Sequence, residues 1–79
     1  MKLTKAQQKE WEIQAEHLDE ARNFFESLRD EKQSEFDEKS ERWQESVKGS
    51  SFSEDIEMLD ALASVVSDAL DTANSFDIE

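Results

Sequence analysis

The sequence has no cysteine, no proline and no tyrosine, and Gly49 is its single glycine. Without cysteine, the chain has no disulfide scaffold, no thiolate metal site and no cysteine nucleophile. Because glycine and proline supply most tight turns, their scarcity argues against a β-sheet with its many connections. The sequence therefore predicts an all-α protein.

Long apolar segments are also lacking. The longest run is Ala61-Leu62-Ala63, far shorter than the roughly 20 residues of a membrane-spanning helix. The first residues, Met1 to Lys5, carry positive charge, but the apolar stretch of a secretion signal does not follow them. We expect a cytoplasmic protein that has no membrane partner.

Acidic residues dominate the charge. The 79 residues include 21 acidic and 9 basic side chains, for a net charge of −12. All the basic residues lie in 1–48, whereas every charged residue in 49–79 is acidic. A polyanion repels nucleic acid and attracts basic surfaces, so we expect a basic DNA-binding protein, and not nucleic acid, as the partner. The alternative is that the acidity only keeps a small helical protein in solution.

One break divides the chain. Gly49 is the type of residue that takes a left-handed conformation after a helix, and Ser53 is a good N-cap for a following one. Ser51 with Glu54 is an alternative capping box. The break predicts a single domain over 1–79, with a helix at about 4–48, a turn at 49–52 and a helix at about 53–76.

The first segment shows a helical period of unusual length. One stripe, apolar except for two lysines, runs along it without interruption by glycine or proline: Trp11, Leu18, Ala21, Phe25, Leu28, Lys32, Phe36, Lys39, Trp43 and Val47. The stripe predicts one helix about 65 Å long. Because Ser34 and Asp37 resemble a capping signal, two helices with a kink at 30–34 are the alternative.

A short turn at 49–52 makes the two helices antiparallel, as a helical hairpin. Folding about residue 51 pairs residue i with residue 102−i, so the second helix ends beside Phe25. Five apolar residues then lack an intrachain partner: Trp11, Ile13, Leu18, Ala21 and Phe24. Phe25 joins them in the expected dimer interface. We expect this surface to form a homodimer, a four-helix bundle, because so small a chain seldom has enough core alone. A partner protein in place of the second copy is the alternative.

Catalytic chemistry has little support in the sequence. His17 is the single histidine, and Gln14 stands where a di-iron bundle needs glutamate. One glycine is too few for a phosphate-binding loop, and no calcium-loop pattern occurs. Carboxylate pairs four residues apart are frequent, and a solvated helix face explains them. We expect no enzymatic activity, no cofactor and no metal site.

A resemblance bears on the setting of the protein. The run Ser34-Glu35-Phe36-Asp37-Glu38-Lys39-Ser40-Glu41-Arg42-Trp43-Gln44-Glu45-Ser46-Val47-Lys48-Gly49 resembles a pattern of small acidic helical proteins encoded by phages and prophages. In them, F-x-x-x-S-E-x-x-Q-E-S-x-x-G precedes an acidic second helix, which implies a phage protein in the host cytoplasm. The shorter Gln44-Glu45-Ser46-Val47 is similar to the Q-E-S-I phrase of phage uracil-DNA glycosylase inhibitors, which are DNA mimics with a β-sheet. That similarity implies partner-binding roles for Glu45 and Ser46.

Two functions follow from these patterns. In the first, the protein is a DNA mimic that inhibits a DNA-binding or DNA-processing protein, with uracil-DNA glycosylase as a candidate target. Carboxylates three or four residues apart lie about 4.5–6 Å apart along a helix, comparable to the phosphates of one strand. The expected binding residues are Glu57, Asp60, Asp68 and Asp71, with Glu38, Glu41, Glu45 and Ser46 from the first helix. In the second, the chain is a helical interaction module whose apolar stripe docks a partner helix.

Overall fold

The computed structural model describes residues 2–76, which form a helical hairpin and contain no strand. Helix α1 spans Lys5–Asp37, the single-turn α2 spans Glu41–Gln44, and α3 spans Val47–Ser75. The two long helices pack against each other in a rod of 58 × 16 × 14 Å. The predicted all-α class and the hairpin of two long helices are confirmed.

Helix α1 begins with a complete capping box. The backbone N–H of Gln7 donates to Thr4 Oγ1 at 3.1 Å, and the backbone N–H of Thr4 donates to Gln7 Oε1 at 2.9 Å. From there the helix continues through 30–34 without a break, so the kinked alternative is wrong. It ends at Asp37, however, eleven residues before the predicted end at 48.

The connection between the long helices occupies 38–46. Ser40 is the N-cap of α2 and accepts from the backbone N–H of Trp43 at 3.3 Å. Ser46 is the N-cap of α3, where its hydroxyl accepts from the backbone N–H of Gly49 at 3.2 Å and donates to the carbonyl oxygen of Trp43. Two serine caps six residues apart therefore reverse the chain, and the prediction of a turn at 49–52 is wrong.

Gln44 joins this connection to the end of α1. Its side-chain Nε2 donates to the carbonyl oxygen of Phe36 at 2.9 Å and to that of Lys39 at 3.0 Å. The carbonyl oxygen of Phe36 also accepts from the backbone N–H of Lys39 at 3.1 Å, so Gln44 adds a second bond there and gives the carbonyl of Lys39, beyond the end of α1, a partner. The Gln44 amide thereby fixes the direction in which the chain leaves α1.

Gly49 is buried inside the first turn of α3 and has a negative φ. A Cβ at this position would lie well within 3.0 Å of the carbonyl oxygens of Trp43 and Gln44. The glycine is required because the backbones of α2 and α3 touch there, and not because the chain turns. The predicted helix start at 53 is also wrong, because Ser53 lies in the second turn of α3.

An aromatic cluster closes this end of the hairpin. The ring of Phe36 lies 6.2 Å from that of Trp43 and 6.2 Å from that of Phe52, and the rings of Trp43 and Phe52 are 5.7 Å apart. Lys39 Nζ lies 5.4 Å from the Trp43 ring centre, within cation–π range. Val47, predicted on the apolar stripe, is instead 88% exposed.

The early turn changes the pairing of the helices. Phe36 stacks on Phe52, Arg29 binds Asp60, and the Trp11 indole N–H donates to the carbonyl oxygen of Ala73. The residue numbers in these pairs add up to 84–89 and not to the predicted 102. Relative to the prediction, each residue of α1 therefore meets a part of α3 about four helical turns, or roughly 22 Å, away along the helix. Helix α3 consequently reaches Trp11 and does not end at Phe25.

The core between the helices follows a seven-residue repeat. In α3 the buried residues are Gly49, Ile56, Ala63 and Leu70, and a half-buried row is Phe52, Leu59, Val66 and Ala73. In α1 the corresponding half-buried rows are Gln8, Ala15, Arg22, Arg29 and Phe36, and Trp11, Leu18, Phe25 and Lys32. Such rows are typical of antiparallel coiled-coil packing. They leave a thin core, because no large side chain in the described part of the chain is fully buried.

The role of Gln44 leads to a stability prediction. We expect Gln44→Met, which keeps the size but removes both donors, to lower the free energy of unfolding by about 1–3 kcal/mol. Gln44→Glu should cost more, because it places a negative charge beside the negative end of the α1 dipole. Urea unfolding followed by circular dichroism checks this, with Gln33→Met, which loses one exposed hydrogen bond to Asp37, as the control. Equal stability of Gln44→Met and the control contradicts the assigned role.

Candidate functional site

The antiparallel repeat gives the hairpin two different flanks. On one flank, Glu12, Glu16 and Asp19 of α1 line a groove together with Asn74 of α3. The same row continues seven residues further to Glu26, and Arg29 then bridges to Asp60 of α3. Glu57 and Asp71 each precede a residue of this flank, Asp60 and Asn74, by one helical turn. We call these carboxylates the acidic flank: Glu12, Glu16, Asp19, Glu26, Asp30, Glu57, Asp60 and Asp71.

Two arginines partly neutralise the acidic flank. Arg29 binds Asp60 at 2.6 Å and Asp30 at 3.0 Å, and Arg22 binds Asp19. The hydrogen bonds to Asp60 and Asp30 raise the pKa of Arg29, so its guanidinium keeps its charge. Within residues 2–76, the other five carboxylates of the flank have no ion pair. The flank is therefore strongly negative after these pairs are counted.

The charge density of this flank resembles that of single-stranded nucleic acid. Its rows extend from Glu12 to Asp30, about 27 Å at 1.5 Å per residue. Eight carboxylates over that length correspond to one charge per about 3.4 Å, the phosphate spacing of one DNA strand and half the density of the duplex. With the two arginines included, six net negative charges remain over the same length, or one per about 4.5 Å. This density is closer to that of one DNA strand than to that of the duplex.

The predicted binding residues of α3 have different environments. Glu57, Asp60, Asp68 and Asp71 are all exposed. Asp60, however, is bound to Arg29, so it contributes less negative charge than predicted. Asp68 lies further from the groove, on the outer surface beside Asp71. Glu57 and Asp71 are thus the predicted α3 residues that fit the acidic flank best.

The predicted residues of the first segment lie together at the turn end. Glu38 is the C-cap of α1, Glu41 is the first residue of α2, and Glu45 is its C-cap, and all three are exposed. They form a group separate from the acidic flank. Ser46 is half-buried and its hydroxyl caps α3, so the structure gives it a role in folding. A partner contact of Ser46 stays a prediction from the resemblance.

Sequence reasoning missed the carboxylates that α1 contributes to the acidic flank. Glu12, Asp19 and Glu26 are spaced seven residues apart, and this spacing was a usable signal. The spacing indicates a surface shared with α3 only when α1 and α3 are paired correctly, because the predicted pairing left the first half of α1 without a neighbouring helix. The observed pairing brings these residues beside α3.

The premise of the predicted dimer surface is wrong for Trp11. Its ring lies 5.0 Å from that of Phe76 and its indole N–H is bonded to Ala73, so it has an intrachain partner. The other residues predicted for the interface are half-buried in the hairpin, except Phe24, which is 60% exposed: Ile13, Leu18, Ala21 and Phe25. The dimer was predicted because these residues were expected to have no intrachain partner, and that argument does not hold for them as a set.

Across 2–76, no group of three or more histidine or acidic side chains is placed to hold a metal ion. No helix in this range is long and apolar enough to cross a membrane. No protein-family model, no curated protein and no solved structure matches the chain.

Proposed function

We propose that this protein is a non-enzymatic inhibitor that binds a basic DNA-binding or DNA-processing protein, with its acidic flank in the place of DNA. The observation that carries the proposal is the concentration of eight carboxylates on one flank, with two arginines among them. The pairs Glu12/Glu16 and Glu16/Glu20 place like charges four residues apart, which costs helix stability. A sequence selected for stability alone would mix the two signs more evenly.

The class of target follows from the charge density and the resemblance. A row with the spacing of one strand fits a basic channel or groove that binds single-stranded or locally opened DNA. Uracil-DNA glycosylase is one such candidate, supported by the Gln44-Glu45-Ser46-Val47 similarity and by the phage setting that residues 34–49 imply. The host cytoplasm is then the place of action.

A competition experiment tests the proposal. A fluorescent oligonucleotide bound to uracil-DNA glycosylase, or to basic proteins recovered from bacterial lysate at low salt, should be displaced by the protein. Displacement should weaken steeply with salt, because counterions compete with ion contacts. Binding that is insensitive to salt contradicts mimicry and favours the alternative of an apolar helix-docking module.

Matched charge removals locate the contact surface. The triple variant Glu12→Gln, Glu26→Gln, Asp71→Asn removes three flank charges that have no ion pair in the described range. We expect each to weaken binding by up to about 1 kcal/mol, and the slope of the salt dependence to fall. The control is Glu20→Gln, Glu31→Gln, Glu54→Gln, which removes the same charge outside the flank. Equal losses in both variants show that net charge alone acts. Glu45→Gln separately tests the glycosylase-inhibitor resemblance.

A further inference from the structure

The flank opposite the acidic one is apolar. Met58 and Val65 of α3 are 70% and 64% exposed, Leu62 is 42% exposed, and Phe24 of α1 is 60% exposed. With the half-buried Leu28 and the exposed Ala69, these residues follow the seven-residue repeat on one side of the core rows. We call them the apolar flank: Phe24, Leu28, Met58, Leu62, Val65 and Ala69.

Both helices contribute to the centre of this flank. With pair sums of 84–89, Phe24 lies level with residues 60–65 and Leu28 with residues 56–61. Arg29 and Asp60 join the two helices on the acidic flank, so the apolar residues of both helices lie together on the opposite side of the hairpin. Asp60 and Asp68, the carboxylates of α3 between Met58 and Ala69, belong to the acidic side or the outer surface. The central apolar surface therefore spans two helices and carries no charge over 24–28 and 58–69, and Glu31 and Asp55, on the same seven-residue rows, lie at one end of it.

The hairpin exposes enough area for an interface of ordinary size. The chain exposes 6147 Å². A compact protein of 9.2 kDa exposes about 4,900 Å² by the usual scaling, so this rod of 58 × 16 × 14 Å exposes roughly 1,200 Å² more than a compact domain. A specific interface of ordinary size removes about 600–1,000 Å² from each partner. The buried apolar residues of the described range are only Ile56, Ala63 and Leu70, so the hairpin has a thin core of its own.

We propose that a second copy of the chain covers the apolar flank, and that two hairpins form a four-helix bundle around a two-fold axis near Phe24 and Val65. The flank is two helices wide and, over 58–69, about 16 Å long, and the identical flank of a second hairpin matches it in both dimensions. In this arrangement both acidic flanks face outward, so two chains of −12 meet through uncharged surfaces. The interface lies beside the surface that the sequence predicted and shares only Phe24 with it.

Sedimentation equilibrium at micromolar concentration and physiological salt tests the bundle. The protein should have twice its chain mass of 9.2 kDa. The double variant Phe24→Glu, Leu62→Glu should raise the dissociation constant at least tenfold, because it places charges in the interface. The control Asn23→Glu, Ser64→Glu adds the same charge at exposed neighbouring positions and should stay dimeric. A folded, helical monomer of the unmodified protein overturns the proposal, as does a dimer that the flank variant leaves unchanged.

Cross-linking decides the question even if the flank variant does not fold. The sequence has no cysteine, so a single introduced thiol reports one position. With a short bismaleimide, Val65→Cys should yield cross-linked dimers, because residues near a two-fold axis meet their own copies. Ser64→Cys, one residue away on another face, should yield few. Equal or reversed yields overturn the proposal. A protein that stays monomeric but binds a synthetic basic amphipathic helix also overturns the proposal, because that result assigns the flank to a partner helix.

Discussion

Replacing Gly49 by alanine should destabilise the hairpin by about 1–3 kcal/mol, the cost of forcing extra atoms into a packed site. At an open helix position the same change is stabilising by about 1 kcal/mol, because alanine is the better helix former. The opposite sign is expected here because a Cβ would overlap the carbonyl oxygens of Trp43 and Gln44, and backbone atoms yield little. Thermal unfolding should show a fall in Tm of roughly 4–8 °C per kcal/mol. Ser50→Ala, at the exposed next residue, is the control and should change stability little.

A second substitution at Gly49 separates crowding from backbone conformation. If the glycine served a left-handed turn, as its sequence context predicted, asparagine would be tolerated better than alanine. In the observed helical position, Gly49→Asn carries the same Cβ and a larger side chain, so it should be at least as destabilising as Gly49→Ala. A more stable asparagine variant would restore the predicted turn at 49–52.

Ala63→Glu should unfold the hairpin. Ala63 is 2% exposed at the centre of α3, so a glutamate side chain has no room there, and Arg22, the cation level with it on α1, is already bound to Asp19. Leaving a buried charge without a partner costs on the order of 3–5 kcal/mol. A domain of this size has a total stability of about 4–12 kcal/mol, and the thin core places this one toward the lower end. Circular dichroism at room temperature should therefore show a large loss of helix.

Ala61→Glu is the matched control for this prediction. It adds the same charge to the same helix two residues away, at an exposed position. We expect a change in the free energy of unfolding within about 0.5 kcal/mol, so the comparison removes the effect of added net charge. Similar losses of helix in both variants would mean that α3 does not face α1 through Ala63.

The helical class and the hairpin could be predicted from the sequence, because they depend on local properties. Residues 2–48 contain no glycine or proline, and Thr4 with Gln7 provides a complete N-terminal signal. The acidic bias was equally visible, since charge requires no folding to be counted. The existence of one reversal also followed, because two long amphipathic segments can bury their apolar rows only against each other.

The place of the reversal could not be predicted, because several local signals compete. Ser40, Ser46 and Ser53 are all good N-cap residues, and Gly49 fits a helix end as well as a crowded helix start. The decision comes from contacts between segments: Gln44 binds the end of α1, and Gly49 lets α3 touch α2. The run from Phe36 to Gly49 contains this reversal.

The sequence by itself determined that the protein is helical, acidic and folded back once. The tertiary structure decided which residues share a surface. Moving the reversal by seven or eight residues shifts the pairing by about fifteen, since both helices move relative to the turn. That shift gives Trp11 a partner, joins Glu12 and Glu26 to the carboxylates of α3, and leaves Phe24 beside Leu62 and Val65. Periodicity fixes the rows along each helix, but only packing fixes which rows of the two helices meet.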